Sequence, residues 1–301
     1  MLFIDANQYL DLYRMPSGKN LLAALEEQQD YIFVTAQVVD EVHRQKVKVA
    51  ASFLAEELRK LEPKSIAVPD HLLSTNDGRV VSMRERVREI SEKSKDAKEE
   101  LRKLTRDLLE QVSQSKDEVS KRLAGVFSKA VAPKEDELQR ARIRREHGNP
   151  PGKRTDPLGD QLSWEQILSQ CQGNHWLWII TKDSDFATKH AGKMFLNAAL
   201  YKELARLYPA EPEVFCFDNI PDGLEHFANT NGVKAEKLPT SEEIERIKKE
   251  QESLPPLGWL ANYDDASSLV AIRAYTDRDT ALMRAAAMSQ VASEEVFPSQ
   301  G

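Results

Sequence analysis

Five short apolar runs constrain what this chain can fold into. They are "MLFI" at 1–4, "YIFVT" at 31–35, "SIAVP" at 65–69, "WLWII" at 176–180 and "EVFCF" at 213–217. Helical periodicity lies between or before them, over 19–29, 36–61, 160–172 and 194–207. A strand buried on both faces reads as a continuous apolar run rather than an alternating one. Strands alternating with helices predict a mainly parallel sheet covered on both sides, a three-layer α/β/α architecture. Ligands of such sheets bind beyond the carboxyl ends of the strands. Two of the runs end there on acids: Asp5 follows the first, and Asp183 and Asp185 follow the fourth.

Two stretches break the alternation. Residues 79–147 hold 19 Lys/Arg against 14 Asp/Glu, and their only aromatic residue is Phe127. Apolar residues recur there at helical spacing, so the expectation is an inserted pair of long solvated helices, arranged as an antiparallel hairpin. After residue 228 the text "ANTNGVKAEKLP" reads as a linker. A helix capped at Thr240 or Ser241 follows, and then an Ala-rich helical pattern over 264–289. The expected organisation is an α/β domain over 1–228, interrupted by 79–147, with a linker and C-terminal helical extension over 229–301. Either charged stretch, 79–147 or 240–301, is a candidate for a protein partner or self-association.

Composition excludes several classes. The net charge of −7 argues against a basic coat for nucleic acid, though not against a local basic patch. Cys171 and Cys216 are far apart without a CxxC, which excludes a cysteine zinc site or a disulfide framework. "MLFIDANQY" lacks a basic leader, and no apolar run is long enough to span a bilayer, so the expectation is a soluble, cytoplasmic protein without a membrane.

The acids repay a closer look. Glu41 lies in the second turn of the helix after "YIFVT", and Asp160 opens the helix "GDQLSWEQIL", with Asp156 four residues earlier. Helix capping is the plain use of Asp160 or Asp183, and a solvated face that of Glu41. Together with Asp5, however, they can point to one rim. Two carboxylates roughly 4 Å apart repel by about 4 kcal/mol at an effective dielectric of 20. Oxygen-only donors without paired histidines suit Mg²⁺ or Mn²⁺, and such ions support phosphodiester hydrolysis.

At this point the chain resembles a known family. "LFIDANQYL", "VTAQVVDEVHRQK", "GDQLSWEQIL" and "IITKDSDF" stand in the order and spacing of the PIN-domain nucleases. "GNPPGKRTDPLGDQLSW" is similar to a bacterial PIN-like group with PPG, then Asp, then GD and a tryptophan. The resemblance covers roughly 1–228 without the insert. It implies an α/β/α fold with acids around one or two Mg²⁺ or Mn²⁺ ions, and single-stranded RNA as the usual substrate. The family's four acids fall on Asp5, Glu41, Asp160 and Asp183, which become the expected catalytic and metal-holding residues. Asp156 and Asp185 fall to auxiliary acids, Thr181 to the hydroxyl before the last acid, and Asn7 to orienting a ligand. Arg142, Arg144, Arg145, Lys153 and Arg154 crowd the approach to Asp160. They are the expected nucleic-acid contacts, with a solvated helix end as the alternative.

The function expected from the sequence is a metal-dependent endoribonuclease, in a toxin or defence role. The alternatives are a catalytically silent PIN-like nucleic-acid-binding or scaffold module, and a structure-specific DNA nuclease.

Overall fold

The computed structural model describes residues 1–60, 78–152, 158–171, 176–208, 211–255 and 257. The apolar runs make the sheet. Strands β1 (Leu2–Ile4), β2 (Ile32–Phe33), β3 (Trp176–Ile180) and β6 (Glu213–Phe217) form one parallel sheet in the order β2-β1-β3-β6. Leu2 pairs with Ile32 on one side and with Trp178 on the other, and Ile180 pairs with Phe217. The two central strands are buried apart from Trp176 at the start of β3, as their unbroken apolar composition requires. The run at 65–69 lies outside the described residues.

Helices flank the sheet. They are α1 (Ala6–Asp11), α2 (Lys19–Glu27), α3 (Ala36–Lys60), α7 (Gly159–Gln170), α8 (Ala198–Ala205) and α9 (Ile220–Asn231). Trp164 on α7 and Trp178 on β3 are fully buried, and Phe186 packs edge-on to Trp164 with ring centres 6.3 Å apart. The α/β/α reading therefore holds.

The structure departs from the sequence reading in three places. First, residues 194–196 are strand rather than helix. Strands β4 (Ala187–His190) and β5 (Lys193–Leu196) form an antiparallel hairpin, and the helix starts only after the Asn197 cap. Ala191 and Gly192 between them both have positive φ, 48° and 78°. That is the mark of a two-residue hairpin turn, which alanine rarely adopts.

Second, the segment 79–147 is three helices rather than two: α4 (Gly78–Ser113), α5 (Glu118–Phe127) and α6 (Glu135–His147). Only α4 has the solvated character expected of an insert. It packs on α3 and carries a string of exposed side chains. The other two belong to the body. Phe127 sits edge-on to Tyr9 at 5.2 Å, and Arg122 grips Glu26 with bonds of 2.8 and 2.6 Å. Val131, between α5 and α6, forms a parallel bridge with Thr35.

Third, the compact unit runs from Met1 to Leu254 rather than ending at 228. Helix α10 (Ser241–Ser253) begins with a capping box in which Thr240 and Glu243 satisfy each other. It buries Ile244 and Ile247 and reaches α1 through Gln251. The Ala-rich stretch at 264–289 lies outside the described residues. No described helix is long and apolar enough to cross a membrane.

Candidate active site

The sheet order creates the site. The chain leaves β1 toward β2 on one side and later returns through β3 on the other. The carboxyl ends of β1 and β3 therefore flank the switch point where such sheets bind ligands. Asp5 is the first residue past β1, and its N–H donates to the Ile180 carbonyl across the gap (3.0 Å). Thr181 is the first residue past β3.

Asp5 is 7 % exposed and fully engaged. Its Oδ1 accepts the Ala6 N–H at 2.7 Å, so the residue caps α1. Its Oδ2 accepts the Thr181 hydroxyl at 2.7 Å and the Asn7 amide. Thr181 Oγ1 in turn accepts the Asp183 N–H at 3.0 Å, and Asp183 Oδ1 accepts the Asp185 N–H at 2.8 Å. One hydroxyl thus links the exits of both strands. Capping falls to Asp5, and not to Asp160 or Asp183 as the sequence suggested. The position before α7 is Leu158, and Asp183 leads through a turn into β4 rather than into a helix.

Electrostatics bring three of the four acids together. Burial, with Glu41 and Asp183 nearby, pushes Asp5 up to about 7 against the Thr181 and Ala6 bonds that favour its charged form. Glu41 is also raised, by burial first and then by Asp183, while Arg44 one turn along α3 draws it down. The helix that carries Asp160 touches the helix that carries Glu41. A Cβ built on Gly159 would lie 3.0 Å from Gln37 Nε2, and Ser163 Oγ lies 3.2 Å from Thr35 Oγ1. The start of α7 therefore presses on the first turn of α3, and Gln37 is one turn before Glu41. Asp156 lies outside the described residues.

Asn7 adds a second observation. Its amide nitrogen serves Asp5, but its Oδ1 is buried with no hydrogen-bond partner among the described residues. A buried acceptor left unpaired costs about 1–3 kcal/mol. Beside repelling carboxylates it fits a hydrated hard cation. Among the described residues no three acids, histidines or cysteines stand at metal-ligating spacing, so the acids share a neighbourhood rather than a closed shell.

Sequence reasoning missed the anchor of this site. Asp11 is fully buried and accepts Arg14 on Oδ1 (2.8 and 2.6 Å) and both Lys182 (2.6 Å) and Gln251 (2.9 Å) on Oδ2. Lys182 lies between Thr181 and Asp183, so this network ties the β3 exit to α1 and α10. Only the i,i+3 pair Asp11–Arg14 was visible in the sequence. The bonds to Lys182 and Gln251 cross more than a hundred residues.

The basic cluster divides. Arg144 is buried, with Glu165 (2.6 and 2.9 Å), Glu203 (2.7 and 3.1 Å) and the Pro150 carbonyl (2.7 Å) around its guanidinium. It joins α6, α7 and α8 and is a structural residue, which corrects its expected place among nucleic-acid contacts. Arg142 is exposed with a loose 3.7 Å pair to Glu135, and Arg145 is half-buried. Lys153 and Arg154 lie outside the described residues.

The raised proton affinity of Asp5 has a measurable consequence. Its ordinary range is near 3.9, and each tenfold change in affinity is worth about 1.4 kcal/mol. The folded form holds the proton more tightly than the unfolded one. The stabilising contribution is therefore complete below about pH 4 and is lost as pH rises through about 7. In EDTA, wild type should lose more stability between pH 5 and pH 8 than Asp5→Asn does, by up to about 2.6 kcal/mol. Urea unfolding at the two pH values measures it, and equal losses would remove Asp5 from the repelling set.

Residues 1–190 match a protein family described as a PIN like domain. No curated protein and no solved structure matches the chain.

Proposed function

Because the chain belongs to the PIN-like domain family, a family with a nuclease-type fold, we propose that it is a metal-dependent endonuclease that hydrolyses phosphodiester bonds of single-stranded RNA. The observation that carries this reading is the meeting of Asp5, Glu41 and Asp183 at the switch point, with burial and mutual repulsion raising Asp5 to about 7. Asp160, at the neighbouring helix start, completes the acid set. Mg²⁺ or Mn²⁺ held there would lower the pKa of a water and offset charge on phosphorus.

The chain's own groups have separate tasks. Asp5 is fixed by backbone and hydroxyl bonds and Asp183 Oδ1 by the Asp185 N–H, so both carboxylates are held without further ordering. Thr181 holds the two strand exits in register. Asn7 Oδ1 offers an acceptor to a bound water. Asp185 supports the turn that aims Asp183. Lys182 is turned toward Asp11 at 2.6 Å, so its ammonium serves that anchor.

The test is cleavage of labelled single-stranded RNA by wild type and Asp160→Asn, in Mn²⁺ and in EDTA, with flap DNA in parallel. Cleavage of RNA by wild type in Mn²⁺ alone supports the reading. Cleavage of flap DNA only would move the substrate to DNA. No cleavage of either, with RNA still bound, would favour a silent binding module.

Arg142 and Arg145 are proposed to hold substrate backbone on the approach to Asp160. Replacing both by alanine should weaken RNA binding and flatten its dependence on log salt, by a slope of up to about 0.7 for each lost contact. Fluorescence anisotropy over a salt series measures this, and an unchanged slope takes α6 out of the substrate path.

A further inference from the structure

Helix α4 carries a stripe of apolar side chains that is largely exposed in the described structure. Met83, Val87, Ile90, Leu104 and Leu108 are all exposed, Ile90 by 60 % and Leu104 by 51 %. They follow alternating steps of four and three residues, with Ser94, Ala97 and Leu101 completing the series. This is a heptad seam, the pattern of a helix that pairs with another along its length. It spans roughly 37 Å from Met83 to Leu108. The α3 contact does not use it up. The half-covered side of α4 runs through Ser91, Ser94, Lys98, Leu101, Thr105 and Leu109, and shares only Ser94 and Leu101 with the stripe.

The charges beside the seam identify the occupant. On the flank away from α3, the heptad places Arg86, Lys93, Glu100 and Asp107, all exposed. Among the described residues none of the four is in an ion pair. Two copies of α4 laid antiparallel, with Val87 against Leu104 and Met83 against Leu108, bring Ile90 to Leu101 and Ser94 to Ala97. The same alignment sets Arg86 opposite Asp107 and Lys93 opposite Glu100, each twice by symmetry. A parallel pair would instead set Lys93 against Lys98. The apolar layers and the charges thus select one orientation and one register together.

We propose that α4 is a self-recognition surface, through which two copies of this chain pair antiparallel with α3 on the outer side of each. The proposal is independent of the nuclease reading. The arrangement is isologous and closed, so it yields dimers and not filaments.

The experiment uses the full chain. Light scattering after size exclusion, over a concentration series, should give wild type twice its 34.1 kDa mass. The acidic variant Arg86→Asp/Lys93→Glu and the basic variant Glu100→Lys/Asp107→Arg should each fall to the single-chain mass, because every flanking pair becomes like-charged. Mixing the two should restore the doubled mass, since all four pairs are then opposite in sign. Restoration also proves that both variants are folded. A monomeric wild type, or variants that dimerise as wild type does, would overturn the proposal. So would a strengthened acidic variant, the mark of parallel pairing through Lys98.

Discussion

Asp183→Asn is expected to lower cleavage of single-stranded RNA about a thousandfold in Mn²⁺ while leaving the protein folded. The substitution keeps Oδ1, so the acceptor for the Asp185 N–H survives and the turn after β3 is preserved. What disappears is one charge facing the other acids and whatever cation they hold. A charge pair at roughly 4 Å is worth about 4 kcal/mol at an effective dielectric of 20, or about three decades of rate. Asp5→Asn should lose a comparable amount, and Asp185→Asn much less, because Asp185 contributes its backbone N–H to the turn. Single-turnover cleavage of a labelled RNA by the three variants decides the ranking. A larger loss from Asp185→Asn than from Asp183→Asn would reassign the fourth acid.

The second large effect concerns stability. Arg144→Ala should destabilise the fold by about 3–5 kcal/mol, the usual cost of breaking a buried ion pair from one side. Among the described residues, Glu165, 4 % exposed, would keep only Arg140, whose guanidinium also serves Asp136, and Glu203 would keep only the Trp164 indole N–H. At roughly 2–4 °C for each kcal/mol, the melting temperature should drop by about 10 °C. Arg144→Lys should rescue little, since a lysine cannot span two carboxylates and a carbonyl. A variant that melts like wild type but binds RNA more weakly would return Arg144 to the substrate path.

The two outcomes for Arg142 and Arg144 illustrate what the sequence can and cannot specify. Both are arginines on one helix, two residues apart, and composition treats them alike. Only the packing of α6 on α7 buries one and exposes the other, and the partners, Glu165 and Glu203, lie 21 and 59 residues away. The strand exits were legible because a continuous apolar run has few uses other than a buried strand, and the residue after it must stand at the sheet's end. Asp5 and the pair Asp183 and Asp185 follow from that alone, whereas Thr181 and the preference for Asp183 came with the family resemblance. Asp160 was readable as a helix start, but how closely it approaches Glu41 depends on a glycine contact that no periodicity reveals. The insert was read as one solvated unit because α5 carries the same apolar spacing as α4. Its burial comes from Tyr9, Phe127 and the Arg122–Glu26 pair, all set by tertiary contact. Helix α10 was recognised from its capping box, yet its docking through Gln251 onto Asp11 left no local trace.

The acids at the ends of β1 and β3 are proposed to repel one another in the absence of a cation and to hold one when it is present. Differential scanning calorimetry of wild type and Asp183→Asn, in EDTA and with saturating Mn²⁺ or Mg²⁺, tests it without knowledge of the substrate. An ion that binds only the folded form at a hundred times its Kd stabilises it by about 2.7 kcal/mol. For a domain of this size that raises the wild-type melting temperature by roughly 5–10 °C. Asp183→Asn should melt higher than wild type in EDTA, having lost one repelling charge, and should gain far less from Mn²⁺. Superimposable wild-type curves in EDTA and Mn²⁺ would contradict the claim.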